Sequence, residues 1–226
     1  MDVVYPLKAT GEPYYELRYS LRSLRNLDHD RVFIVGGCPR WATNVVHLPT
    51  TQNRGKYDNL CHNIEVACKS DFISDPFIIF NDDFIVMQPV KEVTFHWRET
   101  VDEGIERYKK HGRMNDWIQP MKDVKLACEI LGIENPVSYE LHIPMVVHKE
   151  PMLQALQMIP HGPVWRTMYG NLARVGGTKI PDVKIYSRRS SVPPGPYVST
   201  NDDVFPFGAA AKQIRKTFSK QSRYES

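Results

Sequence analysis

Short apolar runs alternate along this chain with segments whose apolar residues recur at helical spacing, and the order of the two patterns predicts the fold. Residues 2–5 read as a first strand, and residues 14–27 as a helix because Tyr14, Leu17, Leu21 and Leu24 share one face. Residues 31–35 make a second strand, stopped by Gly36-Gly37-Cys38-Pro39, and residues 45–48 a brief third. A helix over 57–69 carries Leu60, Ile64, Ala67 and Cys68 on one side. Phe77-Ile78-Ile79-Phe80 is a continuous apolar run, the pattern of a strand buried on both faces. Residues 84–87 read as another strand. Helices are predicted over 101–111, 117–131, 151–158 and 164–174, a strand over 183–186, and a rigid Pro/Gly-rich connection over 192–196.

Strands separated by helices predict an α/β fold with a mainly parallel sheet flanked by helices, in which ligands collect at the carboxyl ends of the strands. A hydrophobic content of 42% over 226 residues is enough to close one core, so a single domain over 1–226 is expected. Its last stretch, 207–226, reads as a basic helix or tail. No apolar run reaches membrane-spanning length and no leader pattern opens the chain, so a soluble, cytoplasmic protein is expected, in the host cytoplasm if it is viral. Cys38, Cys61, Cys68 and Cys128 show no CxxC spacing and read as reduced thiols, not a zinc site. The net charge of +3 is modest, but Lys212, Arg215 and Lys216 cluster near the end; such a cluster is a candidate nucleic-acid contact as well as an ordinary solvated helix face.

Chemistry concentrates in four places. Asn81-Asp82-Asp83 follows the apolar run, where two adjacent carboxylates near a core repel each other and lose hydration unless a cation or donors compensate. They are the candidate metal ligands, Asp82 and Asp83; a solvent-facing turn is the plainer alternative. Arg54-Gly55-Lys56-Tyr57-Asp58-Asn59 precedes a helix, so its basic side chains and the helix amino terminus are suited to an anion. Tyr139-Glu140-Leu141-His142 places an acid and an imidazole on one side if the segment is a strand, as a general base or metal ligand. Thr200-Asn201-Asp202-Asp203 is a second acidic cluster, which completes a metal site or deprotonates an acceptor hydroxyl if the fold brings it back to the first. Catalytic candidates are therefore Glu140, His142, Asp202 and Asp203. Candidates for holding a donor are Tyr5, Arg18, Arg22, Arg54, Lys56, Asn59, Asn81 and Asp82.

In motif order as well as content, the chain resembles the Stealth-type sugar-phosphate transferases. Asp2-Val3-Val4-Tyr5 is similar to that family's opening strand and Glu16-Leu17-Arg18-Tyr19-Ser20-Leu21-Arg22-Ser23-Leu24 to its second block. Residues 32–41 resemble its strand ending in a Pro-x-Trp turn, Phe80-Asn81-Asp82-Asp83-Phe84 its central block, His142-Ile143-Pro144 its His-x-Pro block, and Asn201-Asp202 its terminal Asn-Asp element. Coverage runs over 2–203, weakest between 94 and 137. The resemblance implies a GT-A-like nucleotide-sugar fold, a magnesium or manganese ion, a UDP- or GDP-sugar donor, and a site around Asp82, Asp83, His142 and Asp202, with Arg18, Arg22 and Asn59 near it. The chain departs from the family in having Tyr5-Pro6-Leu7 where members keep Trp-Val-Asp, and in its compactness. In that compactness it is similar to bacteriophage glycosyltransferases, some of which decorate modified bases in viral DNA.

Three functions follow as expectations. The first is metal-dependent glycosyl transfer to an acceptor hydroxyl, with a hydroxymethylated base in phage DNA as a candidate acceptor. The second is Stealth-like transfer of a sugar 1-phosphate to a carbohydrate acceptor. The third is a noncatalytic sugar- or nucleic-acid-binding module.

Overall fold

The computed structural model describes residues 1–9, 14–110, 112, 117–159 and 162–226. In chain order its elements are β1 (Val3–Leu7), α1 (Tyr15–Ser23), β2 (Val32–Gly36), β3 (Val46–Leu48), α2 (Lys56–Lys69), β4 (Phe77–Ile79) and β5 (Phe84–Val86). There follow β6 (His96–Trp97), β7 (Glu99–Thr100), α3 (Val101–Lys110), α4 (Ile118–Ile130), β8 (Val137–Ser138) and β9 (Met145–Val147). The chain closes with α5 (Lys149–Met158), α6 (Trp165–Leu172), β10 (Thr178–Lys179), β11 (Lys184–Ile185), β12 (Tyr197–Thr200) and α7 (Ala209–Thr217). The first predicted helix ends early, in a 3-10 turn over Leu24–Asn26. His111, the expected end of α3, lies outside the described residues. The 207–226 stretch is a helix for only part of its length.

The central sheet has the order β3-β2-β1-β4-β9, parallel except for β9. Period-two alternation divides its side chains cleanly between two layers. Val4, Phe33, Val35, Phe77 and Ile79 face the core built with α2 through α6. Val3, Tyr5, Leu7, Val32, Ile34, Ile78 and Phe80 face the core built with α1. The apolar run of β4 is thus covered on both sides, as its continuous hydrophobicity predicted. The order reverses between β1 and β4, since β1 leads through α1 to β2 while β3 returns through α2 to β4. A crevice opens at the carboxyl ends of strands that part in this way.

Two glycines let backbones meet where this crevice is shaped. Gly36 has φ +112°, and a Cβ there would fall 2.2 Å from the carbonyl oxygen of Leu7. That oxygen instead accepts from the side chains of Gln52 and Asn63, which tie α2 and the segment before it to the end of β1. Gly170 on α6 lies flat against Tyr139, whose ring a Cβ would enter at 2.3 Å. Tyr139 thereby anchors the segment that carries Glu140 and His142.

A second sheet, β11-β12-β5, stands beside the first. Serines of α1 grip its edge strand β5: Ser20 Oγ donates to the Phe84 carbonyl at 2.6 Å, and the Val86 amide donates to Ser23 Oγ at 2.9 Å. The chain's last residues return to α1 as well. The Glu225 carboxylate, its side chain fully covered, accepts from Arg22 at 2.7 and 2.8 Å and from Arg18 at 3.3 Å, while Arg18 stacks 3.9 Å above the Trp41 ring. Burial would raise the pKa of Glu225, but Arg22 and the Ser222 amide outweigh it and hold the group at about 2 against an ordinary 4.5.

Because the folded pKa is depressed, this carboxylate stabilises the fold above about pH 4.5, and the contribution is lost as pH falls toward 2. Glu225→Gln is expected to cost about 2 kcal/mol at pH 7, less than the full pKa difference implies because the arginines keep contact with water. Urea unfolding measured from pH 7 down to pH 2 should show a flatter acid limb in the variant; an unchanged limb contradicts the assignment.

Candidate functional site

The carboxyl ends of β1 and β4 open into a cleft of about 840 Å³, lined among others by Leu7, Lys8, Glu16, Lys56, Asn59, Asn81, Asp82, Asp83, Glu140, His142, Arg166, Lys184 and Asp202. Register explains how such distant residues meet. β12 runs antiparallel to β5, pairing Ser199 with Phe84, so the chain leaving β12 arrives where Asn81-Asp82-Asp83 leaves β4. Asp202 is thus carried to the first acidic cluster. β11 runs parallel to β12 with Lys184 opposite Ser199, and both reach Asp83: Lys184 Nζ donates to Asp83 Oδ2 at 2.9 Å, and Ser199 Oγ donates to the same oxygen.

The two adjacent aspartates therefore have different surroundings. Asp83 is buried and neutralised from the wall by Lys184. Burial opposes the charge of Lys184, but Asp83 outweighs it and raises the lysine's pKa. Asp82 lines the cleft with no ion pair among the described residues, and burial together with the charge of Asp83 pushes its pKa up to about 6 against the weaker pull of Lys184. Glu16, which accepts from Thr200 Oγ1 at 3.1 Å, is pushed up to about 8, first by burial and then by Asp83 and Asp82. A shift like that of Asp82 sets on the order of 3 kcal/mol against the charged form. Phe77, Ile78, Ile79 and Phe80 are each at most 1% exposed, and each contributes about 1.5–3 kcal/mol by burial, so the strand tolerates the repulsion at its end.

Facing the acids is a buried cation. Arg166 on α6, 4% exposed, donates from Nη1 to the Ile143 carbonyl at 2.9 Å, and among the described residues its Nη2, shielded from solvent, has no hydrogen-bond partner. Burial lowers the pKa of this guanidinium to about 10, against the pull of Glu140. Glu140 accepts from the Thr167 amide and hydroxyl, both at 3.0 Å, and burial pushes it up to about 7 although Arg166 opposes the shift. The guanidinium also lies over the rings of Phe84, at 5.2 Å, and Trp165, at 4.8 Å, which holds its positive charge in the wall of the cleft. Farther along the wall, Trp117 stacks on Tyr108 at 5.4 Å and meets the edge of Tyr57 at 6.2 Å.

Of the residues singled out in the sequence, Lys56, Asn59, Asn81, Asp82, Asp83, Glu140, His142 and Asp202 line the cleft. Asn59 is turned inward, and its side chain closes a loop by bonding the Arg54 main chain on both sides. The other candidates are not among the lining residues. Tyr5 is fully buried with its hydroxyl on Ser20, and Arg18 and Arg22 are held by Glu225. Arg54 is exposed, and Asp203 is exposed opposite Arg188. Lys212 and Lys216 are exposed on α7, while Arg215 spends its guanidinium on the Phe205 and Pro206 carbonyls. Glu140 and His142 sit in a loop between β8 and β9, so the shared strand face expected for them is not what brings them together.

Sequence reasoning missed Glu16, Arg166 and Lys184. Arg166 had a signal: it is the one charged residue in Val164-Trp165-Arg166-Thr167-Met168-Tyr169, and lone charges on buried helices need a reason. Lys184 interrupts the apolar pattern of Val183-Lys184-Ile185 in the same way.

Among the described residues, no group of three or more His, Cys, Asp or Glu side chains is spaced to hold a metal ion by itself. The donors present nevertheless suit a hard divalent cation. Magnesium and manganese sites in phosphate-handling clefts take one or two carboxylates and complete their shell with substrate oxygens and water, and Asp82 and Asp202, both lining the cleft, would be such a pair. Also among the described residues, no helix is long and apolar enough to cross a membrane.

No protein-family model matches the sequence, and no curated protein matches it. Two solved structures of the galactosyltransferase LgtC are similar in fold. One, in complex with donor and acceptor sugar analogs, has a TM-score of 0.50 at 8% identity, and the other, an active-site mutant of that enzyme, has a TM-score of 0.50 at 10% identity; each comparison covers 100% of this chain and 98% of that one. At such identity the similarity speaks for architecture alone, and the chain has a GT-A-like α/β fold, a mainly parallel sheet flanked by helices.

Proposed function

We propose that the chain is a glycosyltransferase, moving a sugar from a nucleotide-sugar donor to an acceptor hydroxyl in the 840 Å³ cleft. The observation that carries this reading is the charge arrangement there: Asp82, Asp202 and Glu16 in mutual repulsion on one side, and the buried, half-unsatisfied Arg166 on the other. A diphosphate bridged to carboxylates by a cation, and attracted by the guanidinium's charge, satisfies both sides at once. The GT-A-like fold it shares with LgtC agrees with that reading.

In this account Asp82 and Asp202 would hold a magnesium or manganese ion, which when bound offsets the charge gathering on the leaving phosphate. Arg166 attracts the same phosphate by its positive charge from within the wall, and Lys184 keeps Asp83 neutralised so that the wall does not repel it. Lys56, at the amino end of α2, adds a positive charge at the mouth. Tyr57, Tyr108 and Trp117 offer a stacking wall to a base or sugar ring. His142 is the candidate base for the acceptor hydroxyl. The catalytic unit is the whole of 1–226.

A groove of about 910 Å³ adjoins the cleft and shares Arg98, Arg107, Lys184 and Tyr186 with it. Its walls mix Glu99, Asp102, Glu103, Glu106 and Asp182 with Arg98, Arg107, Lys110 and Lys179. Paired charges of both signs suit a polyhydroxylated carbohydrate better than a polyanion, whose phosphates the carboxylates repel. This favours a carbohydrate acceptor over modified DNA, since Lys212 and Lys216 stand on α7 and not on this path.

The purified chain, given manganese, a panel of nucleotide sugars and oligosaccharide or modified-DNA acceptors, is expected to yield glycosylated carbohydrate and nucleoside diphosphate. Release of nucleoside monophosphate would replace the reading with sugar-phosphate transfer. Tight donor binding without turnover would make the chain a binding module. Asp82→Asn is expected to lower turnover by about 10²–10³-fold, as read by the same chromatography of nucleotide products.

Manganese should also raise the melting temperature of the wild type in the presence of a nucleoside diphosphate, by roughly 2–4 °C for each kcal/mol of binding. The Asp82→Asn protein should show little of this shift. An equal shift in both proteins in differential scanning fluorimetry would remove Asp82 from the cation site.

A further inference from the structure

His142 and Asp182 come from loops forty residues apart in sequence, and their contact is unusually complete. The Nδ1 atom of His142 lies 3.0 Å from Oδ1 and 2.9 Å from Oδ2 of Asp182, and the His142 amide also donates to Oδ1, at 3.1 Å. One carboxylate thus grips both main chain and ring of the same residue, which fixes the direction of the imidazole and not only its charge. Asp182 is itself set in place: its side chain is 6% exposed, and Arg98 Nη1 donates to Oδ2 at 3.2 Å. The loop carrying it is held by the Ile180 amide on the Trp97 carbonyl. On the other side, Arg166 holds the Ile143 carbonyl, and the Phe84 ring meets the imidazole edge-on at 6.3 Å.

Burial would raise the pKa of Asp182, but the hydrogen bonds from His142, together with Arg98, outweigh it and keep the carboxylate ionised. An ionised carboxylate only accepts, so Nδ1 carries the hydrogen, and in a neutral imidazole Nε2 keeps its lone pair. His142 lines the cleft, whereas Asp182 lines the adjoining groove, behind the ring.

We propose that Asp182 is a positioning residue that locks His142 in the Nδ1–H tautomer, so that Nε2 faces the cleft as the base receiving the proton of the acceptor hydroxyl. This rests on the group-transfer reading above. In the step, the hydroxyl proton passes to Nε2 while the oxygen forms its bond to the transferred sugar. The bond from that sugar to the nucleotide breaks with its electron pair on the leaving diphosphate, and His142 is left as an imidazolium stabilised by Asp182.

The test is long-range ¹H–¹⁵N correlation of the histidine rings in the full chain, with His142→Gln assigning the His142 signal among the eight histidines. The wild type is expected to show Nδ1–H, and Asp182→Asn to lose that preference. Asp182→Asn should also lower kcat by about 10²-fold or more with little change in donor KM, and Asp182→Glu should restore part of the rate. A wild-type ring protonated at Nε2 overturns the proposal without any variant having to fold. So does full turnover in Asp182→Asn. If the wild type transfers nothing to any acceptor, the group-transfer reading and the base role fall together. In that case the tautomer measurement still decides by itself whether Asp182 holds the ring.

Discussion

Carboxylates gathered where a hydrophobic strand ends are the constraint around which the remaining structure is arranged. Left alone, Asp82, Asp83 and Glu16 would repel one another in a place with little water, and the exposed Asp202 adds to the repulsion from the rim. The fold deals with one of them internally, by bringing Lys184 and Ser199 to Asp83. It leaves Asp82 and Asp202 facing the cleft. The burial of β4 outweighs the cost, so the repulsion persists in the folded chain as an affinity for positive charge.

Topology makes the arrangement possible. The reversal of strand order between β1 and β4 opens the crevice, and the antiparallel return of β12 along β5 delivers a second acidic segment more than a hundred residues later in sequence. α6 supplies Arg166 from the opposite layer, and the loops bearing His142 and Asp182 complete the wall. None of these contacts is local. Cleft chemistry and sheet order are therefore the same fact viewed at two scales, and the β5–β12 pairing that assembles the site also buries Ile85 and Val198 in the core.

Much of the architecture was legible because period and continuity of apolar residues survive in the folded chain. Phe77-Ile78-Ile79-Phe80 became a strand covered on both faces, and the strands and helices before it fall within a residue or so of their expected places, apart from the early end of α1. The two-residue strands β6, β7, β8 and β10 escaped notice because pairing, not pattern, makes them strands. At the site, acids at strand ends were readable, since a carboxylate after an apolar run is an expense that needs a cause. Arginine assignments fared differently. Arg18 and Arg22 recur on α1 toward a partner, but the partner is Glu225, a contact made across about two hundred residues that no local spacing announces. Arg166 and Lys184 matter for the opposite reason: they are charges inside apolar segments, and only tertiary structure shows what they face.

The central claim is that the open carboxylates of the cleft bind a divalent cation together with a nucleotide. Electron paramagnetic resonance of manganese titrated into the purified chain measures this directly, because bound ion loses the six-line signal of free ion. About one manganese is expected to bind per chain, more tightly with a nucleoside diphosphate present than without it. Manganese that stays free at millimolar protein, with or without nucleotide, would contradict it.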